Sequence, residues 1–317
     1  MEDNKLNLAT LANFFADEDA ARTFLESKRW PGGYPVCPRC GSEKAYALTP
    51  REGSKKPVRK GVYCCAACRR QFTVRIGTVF EASHIPLRKW LMAIHLMTSS
   101  KKGVSSLQLS RELGITVKSA WFLSHRIREA MTERAGGFLS GTVEVDETYV
   151  GAKPRKGTGP HKRGRGTTKT PVVVLVERDG RAHTSRVDRL MSKHLKGIIK
   201  THVSGDSKIV TDEPPSYKGI GKEFQKGHSV VNHSKDEYVN GEGEHVNTAE
   251  SFFALLKRGH YGISHSLSKQ HLFRYANEFT FRWNNRKITI GERMIAGISG
   301  AEGKRLMYRE PPGGISG

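Results

Sequence analysis

The chain has 317 residues, with 53 Lys and Arg against 31 Asp and Glu, a formal net charge of +22. That excess adds self-repulsion for which an enzyme acting on a small neutral substrate has no use. Lys and Arg instead replace counterions condensed on phosphates, so the balance points to a polyanionic partner, although ribosomal and membrane-surface proteins are basic as well. No run of about 18 apolar residues offers a membrane span, and the start Met1-Glu-Asp-Asn-Lys5 lacks the basic-then-apolar order of a signal peptide. A soluble protein of the cytoplasm with two or three domains is expected. Four of the five cysteines fall into two C-x-x-C pairs, which suit a metal site in a reducing compartment better than disulfides.

Residues 1 to about 30 place Leu11, Phe14, Phe15, Ala20 and Phe24 at helical spacing, and Trp30-Pro-Gly-Gly33 ends that segment. Cys37-Pro-Arg-Cys40-Gly41 and Cys65-Ala-Ala-Cys68 follow, separated by 24 residues that include Lys55, Lys56, Arg59 and Lys60. A C-x-x-C turn aims two thiolates at one ion, and two such turns close a tetrahedral four-cysteine zinc site with no position open for catalysis. Cys64 could pair with Cys68 at x3 spacing. Cys65 is preferred because it keeps the geometry of the first pair.

Pro86 to Met97 reads as a buried helix. Leu107, Leu109 and Leu113 line the next one, Gly114 breaks it, and Thr116 is a plausible N-cap for a third helix carrying Lys118, Ser119, His125, Arg126 and Arg128. This is the helix-turn-helix layout, with an ordinary helical hairpin as the alternative. The net charge and the neighbouring ribbon favour DNA contact through Lys118, Arg126 and Arg128.

From Gly141 the pattern changes to strands. Val143 to Val145 delivers Asp146 within Thr142-Val-Glu-Val-Asp-Glu-Thr-Tyr149. The segment 153–169 then holds seven Lys or Arg, four glycines and no acid. It reads as a loop that orders on a phosphate backbone through Lys153, Arg155, Lys156, Lys162, Arg163 and Arg165, or else as a merely solvated loop. Pro171 to Arg181 is a buried strand and turn, 182–187 its hairpin partner, 192–202 a helix, Ile209-Val210 a strand ending in Asp212, and 229–232 a further strand. Asn247 to about Arg286 is helical, with Phe252, Phe253, Phe273, Tyr275, Phe279, Phe281 and Trp283 expected in the core. The tail is rich in Gly and Pro and is expected to be disordered.

Such an order suggests a mixed sheet with flanking helices, in which carboxylates at adjacent strand ends converge. Asp146, Asp212 and Glu250 could hold a pair of Mg²⁺ ions about 3.5–4 Å apart, polarising a phosphate and activating a water or a 3′-hydroxyl. Lys257 stands two turns beyond Glu250 on the same helix face, in reach of a phosphate near the site. Glu250 has a plainer alternative, as the third residue of a capping box started by Asn247.

Taken together, these motifs resemble the DDE transposases of bacterial insertion sequences, in the family with an N-terminal zinc ribbon and an ISXO-type catalytic domain. The resemblance is carried by Cys37-Pro-Arg-Cys-Gly-Ser42, Tyr63 to Phe72 with Gly77-Thr-Val-Phe80, Glu144-Val-Asp-Glu-Thr-Tyr-Val-Gly151, Lys169-Thr-Pro-Val-Val-Val174, Val210-Thr-Asp-Glu213, His245 to Gly259 and His271 to Asn284. It implies a multidomain α/β chain: N-terminal helix and zinc ribbon over 1–80, helix-turn-helix-like region over 81–138, RNase H-like catalytic core over 139–290, and a disordered tail over 291–317. It implies Asp146, Asp212 and Glu250 as the acids holding Mg²⁺ or Mn²⁺, with Lys257 following; some relatives use Asn at the third position, which keeps Asn247 in play. It further implies that the ribbon and helix-turn-helix read terminal inverted repeats, that the protein acts as a homo-oligomer on double-stranded DNA, and that it is nucleoid-associated in a bacterium. A catalytically inactive, domesticated DNA-binding regulator is the alternative.

Overall fold

The computed structural model describes residues 6–50, 58–133, 137–151, 167, 169–212, 215–231, 239, 241 and 243–308. The chain divides into two compact units, one formed by Met1–Ser100, Val104–Thr132 and Ile288–Gly317, the other by Lys101–Gly103 and Glu133–Lys287.

In the first unit, α1 (Leu8–Phe14) starts at a capping box between Asn7 and Thr10, and α2 (Glu18–Arg29) starts at Asp17, whose carboxylate accepts the Ala20 N–H at 2.6 Å. Three short antiparallel strands follow in the order β1 (Ala45–Ala47), β2 (Tyr63–Cys65) and β3 (Gln71–Phe72). Trp30 at the end of α2 meets Tyr63 and Phe72 edge-on at 5.4 and 6.2 Å, which fastens the small sheet to the helix. The helix α3 (Leu87–Ser99) buries Trp90, Leu91, Ile94 and Met97 completely. Then α4 (Ser106–Leu113), capped by Ser105, ends at Gly114 in the left-handed conformation (φ 57°), and α5 (Val117–Met131) restarts from Thr116, which accepts the Ser119 N–H at 3.2 Å. The two helices form with the expected breaker between them and the expected cap on the second.

The second unit is built on a five-stranded sheet of β4 (Thr142–Val150), β5 (Thr170–Glu177), β6 (Ala182–Arg186), β7 (Lys208–Asp212) and β8 (His228–Val231), with α6 (Ser192–His202) between β6 and β7 and with α7 (Asn247–Gly259) and α8 (Leu272–Asn284) after β8. The strand order is β6-β5-β4-β7-β8. The first three strands are antiparallel neighbours, while β7 and β8 run parallel to β4. An antiparallel meander extended by two parallel strands beside its first strand is the RNase H-like arrangement. Alternation sorts the side chains. Val143, Val145, Val173 and Leu175 pack with Leu195 and Ile199 of α6 on one face. Val172, Val174 and Val176 pack with Phe252, Phe253 and Leu256 of α7 and Leu272, Tyr275 and Phe279 of α8 on the other. Because β5 is covered on both faces, it reads as an unbroken apolar run.

The chain then rejoins the first unit through α9 (Ile290–Ser299), which opens on a capping box between Thr289 and Glu292. This corrects the expected disordered tail over 291–317 in its first part. Met294 and Ile298 are buried, and Gly297 sits where a Cβ would come within 3.2–3.3 Å of Thr98 and Ile94 of α3. The glycines that suggested disorder permit close helix packing instead. Arg29 binds Glu302 through two hydrogen bonds at 2.6 and 2.8 Å and donates to the Val74 carbonyl, so the segment after α9 is held to the end of α2. The ribbon, the helical region and α9 fall within one compact unit.

Candidate carboxylate and metal sites

In the first unit, Cys37, Cys40, Cys65 and Cys68 bring their sulfurs within 4.8 Å of one another. Cys37 and Cys68 are 3.7 Å apart, and Cys40 and Cys65 are 3.6 Å apart. Four sulfurs about 2.3 Å from a tetrahedral zinc stand about 3.8 Å from each other, so the cluster has the size of that coordination sphere. The backbone N–H of Cys68, with that of Ala67, lowers the Cys65 thiol to about 6, favouring the thiolate that a metal requires. Cys64 is buried with its sulfur near the Cys65 and Arg69 carbonyl oxygens, outside the cluster, in keeping with the preference for Cys65.

On α5, Lys118 is exposed in the first turn, with its ammonium 5.1 Å from the Tyr308 ring. Arg126 and Arg128, expected to contact DNA as well, do not share that exposure. They are only 4% and 3% exposed. The Arg126 guanidinium lies 5.3 Å from the Trp90 ring and 5.5 Å from the Phe122 ring and donates to the Glu81 carbonyl, while Arg128 donates to Ser124 Oγ at 2.9 Å. Leu123, Ser124, His125, Arg126, Ile127 and Arg128 are all buried, so this part of the helix is enclosed on every side. Lys153, Arg155, Lys156, Lys162, Arg163 and Arg165 lie outside the described residues.

In the second unit, parallel pairing of β4 with β7 sets Val145 opposite Thr211, so Asp146 and Asp212 stand at the same level on neighbouring strands. Asp146 lies opposite Val174, and Glu144 opposite Val176, both members of the core under α7. Asp146 and Glu144 therefore face α7, as does Asp212, two residues from Val210. Burial pushes the Asp146 carboxyl up to about 7; the Glu147 N–H, bound at 2.7 Å, opposes this, and the charges of Glu147, Asp212 and Glu250 add to it. Asp212 from the neighbouring strand and Glu250 from the helix thus both act on Asp146 through their charge. Oxygen donors that repel one another in this way fit a hard divalent cation, whose charge removes the repulsion. The Glu147 carboxylate accepts a hydrogen bond from the Tyr217 hydroxyl.

Asn247 and Glu250 are exposed on the first turn of α7, and Lys257 is exposed two turns on. The capping box suggested for Asn247 is not formed. The helix begins at Asn247 itself, and Val246 before it gives no side-chain cap. The cap comes from β4. Glu144, fully buried, accepts the Thr248 N–H at 2.8 Å, the Ala249 N–H at 3.0 Å and the Thr248 hydroxyl at 2.9 Å. Arg178 donates to the same carboxylate at 3.2 Å. Glu144 entered the sequence analysis only as part of the motif around Asp146. Its signal was its place two residues before Asp146, on the same face of a strand, where a charged side chain has to find buried partners.

Residues 138–284 match the model of the ISXO2-like transposase domain, and residues 16–71 match that of the transposase zinc-ribbon domain. An uncharacterised protein in transposable element ISH50 of Halobacterium salinarum is 31% identical over 283 residues, covering 84% of this chain and 91% of that protein. Among solved structures, the Mos1 transposase paired-end complex with left transposon end is 12% identical and covers 68% of this chain and 80% of that one, at a TM-score of 0.26. A pre-cleavage Mos1 transpososome stands at 12% identity and 0.24, covering 67% and 79%. Superpositions that loose do not align one site with another. With two domain models matched in chain order and a relative aligned over nearly its whole length, the chain belongs to the insertion-sequence transposases of the IS1595 type, which join a zinc ribbon to an ISXO2-like transposase domain.

Proposed function

We propose that this transposase binds the terminal inverted repeats of its element and catalyses metal-dependent cleavage and transfer of DNA strands. The observation that supports the reading is that Asp212 and Glu250 lie near enough to Asp146 for the charge of each to raise its carboxyl. Asp146 and Asp212 would hold Mg²⁺ or Mn²⁺ from adjacent parallel strands, and Glu250 from the start of α7, with Asn247 one turn earlier as the other candidate for the third position. Mg²⁺ bound there would polarise the scissile phosphate and ease deprotonation of a water or 3′-hydroxyl nucleophile. Lys257 would place its ammonium on a backbone phosphate and hold the strand against the acids. Lys118, at the start of the second helix of the helix-turn-helix, stands where recognition helices reach base edges, and Lys153, Arg155, Lys156, Lys162, Arg163 and Arg165 would neutralise backbone phosphates. Two ends must be handled together, so a homo-oligomer on DNA belongs to the reading.

The test uses purified protein, Mg²⁺ and DNA bearing the cognate ends, with a plasmid as target. Nicked and joined products are expected. Asp146→Asn and Asp212→Asn should abolish both while end binding persists. Variants that cut as well as the parent would defeat the assignment, and binding without cleavage by the parent would favour a DNA-binding regulator.

A further inference from the structure

We propose that Glu144 is a positioning residue, which fastens the first turn of α7 to β4 and so sets where Glu250 and Asn247 stand relative to Asp146. The proposal rests on the carboxylate reading above and deepens it.

Both Glu144 oxygens are fully engaged. Oε2 accepts the N–H groups of Thr248 and Ala249, and Oε1 accepts the Thr248 hydroxyl and Arg178 Nε, with His245 Nδ1 3.4 Å away. A carboxylate has about four lone-pair directions, and four donors already occupy them, so Glu144 has none left for a metal ion. It acts on the site through other residues. The two N–H groups it holds belong to the residues immediately before Glu250. At about 3.4 Å per residue, its attachment point is about 6.8 Å along β4 from Asp146, on the same face of the sheet.

Helix stability alone would be served by Ser, Thr or Asp at position 246. Val246 is used there for packing instead, buried with Val210 of β7 and Val231 of β8. The cap has been moved onto the strand that carries the first acid. Further ion pairs extend the attachment. Arg178 also pairs with Glu244 at 2.8 Å and donates to the His245 carbonyl at 3.2 Å, and Glu244 pairs with Lys208, the first residue of β7, at 2.9 Å. The strand bearing Asp146, the strand bearing Asp212 and the approach to α7 are thereby joined in one charged network, centred on a carboxylate with no solvent exposure.

The experiment measures metal affinity directly, as Mn²⁺ binding to the DNA-free protein by loss of the free-ion electron paramagnetic resonance signal. In parallel it measures the Mg²⁺ concentration for half-maximal cleavage of cognate ends. Glu144→Gln keeps the shape and removes the charge. Loss of an outer partner of a metal site weakens metal binding by about 10–100-fold, and a weakening of at least about tenfold is expected here, with cleavage recovered at excess Mg²⁺ and end binding unchanged. Should Glu144→Gln fail to fold, Thr248→Val removes one hydroxyl donor at little change in volume and should shift the metal requirement in the same direction, whereas Thr248→Ser should hold it near the parental one. A lower melting temperature with unchanged Mn²⁺ affinity and Mg²⁺ requirement, in either Glu144→Gln or Thr248→Val, would reduce Glu144 to a structural cap and overturn the proposal. Asp146→Asn is the control for the underlying reading. If it leaves Mn²⁺ binding intact, the carboxylate site itself is wrong, a result separate from any outcome at Glu144.

Discussion

Arg126 and Lys118 lie on one helix and carry one kind of charge, yet Arg126 is buried and Lys118 exposed, a difference that a pair of assays reads. Arg126 stacks on Trp90 and Phe122 and donates to the Glu81 carbonyl. Each ring contact contributes about 0.5–2 kcal/mol and the charged hydrogen bond about 1.5–3 kcal/mol, partly offset by the cost of taking the charge out of water. That cost is visible in the guanidinium itself, which burial lowers to about 10. Arg126→Ala should therefore destabilise by about 3 kcal/mol, which at about 2–4 °C per kcal/mol lowers the melting temperature by about 6–12 °C. Arg126→Met, which keeps apolar contact and drops the charge, should lose less, because replacing a buried charge with an apolar group of similar volume is often near neutral. Lys118→Ala should leave melting almost unchanged. Binding to cognate ends is then measured over a range of salt. Each phosphate contact adds about 0.9 to the slope of log affinity on log salt, so Lys118→Ala should flatten the slope by about 0.9 if it holds a phosphate, and Arg126→Met should leave it unaltered. A flattened slope with parental melting in Arg126→Met would mean that Arg126 reaches DNA, and the buried placement would be refuted.

Metal analysis of freshly purified protein should find about one zinc per chain, and strong chelation should release it and expose the segment around Cys37–Cys68 to protease; folded protein without zinc would refute the ribbon reading. Phe252, completely buried between the sheet and α8, should cost about 3–5 kcal/mol as Phe252→Ala in urea unfolding, and a loss under about 1 kcal/mol would show that the core under α7 is misassigned. The Asp146 carboxyl, held at about 7 against about 3.9 in an unfolded chain, keeps a proton that the unfolded chain has released. Its contribution to stability is therefore complete below about pH 4 and is lost as the pH rises through about 7. Metal-free parent should lose melting temperature relative to Asp146→Asn between about pH 4 and pH 7, and Mg²⁺ should reverse the loss; parallel pH profiles for the two proteins would count against the acidic cluster.

Local patterns made most of the fold legible. The alternation in β4 and β6, the apolar run of β5, the Gly114 break and the Thr116 cap all lie within a few residues of what they control, and the structure follows them. The four-cysteine cluster was legible for the same reason, since each C-x-x-C turn is local and only their meeting is not. The direction in which Arg126 points was not legible. Charge argued for solvent, and only the tertiary presence of Trp90 and the Glu81 carbonyl makes a buried guanidinium tolerable. The helix α9 was hidden by its own glycines, because composition weighs Gly297 as a breaker while packing uses it as a gap for Ile94 and Thr98.

Two helix starts show where local reading ends. Both α3 and α7 begin after a residue that gives no side-chain cap, Pro86 and Val246. In each case the exposed N–H groups are met by an acid from far along the chain. Glu18 accepts from Leu87 N at 2.7 Å and Arg88 N at 3.3 Å, and Glu144 accepts from Thr248 N and Ala249 N. In each case an arginine pairs with the acid as well, Arg75 with Glu18 at 2.8 Å and Arg178 with Glu144 at 3.2 Å. A cap within the helix's own sequence stabilises it wherever it lies, whereas a cap on another element stabilises it only in one place. For α3 that place sets the helix against α2. For α7 it sets Glu250 against the strand of Asp146, and under the proposed reading that is how an acid that touches no metal would decide how well the other three hold one.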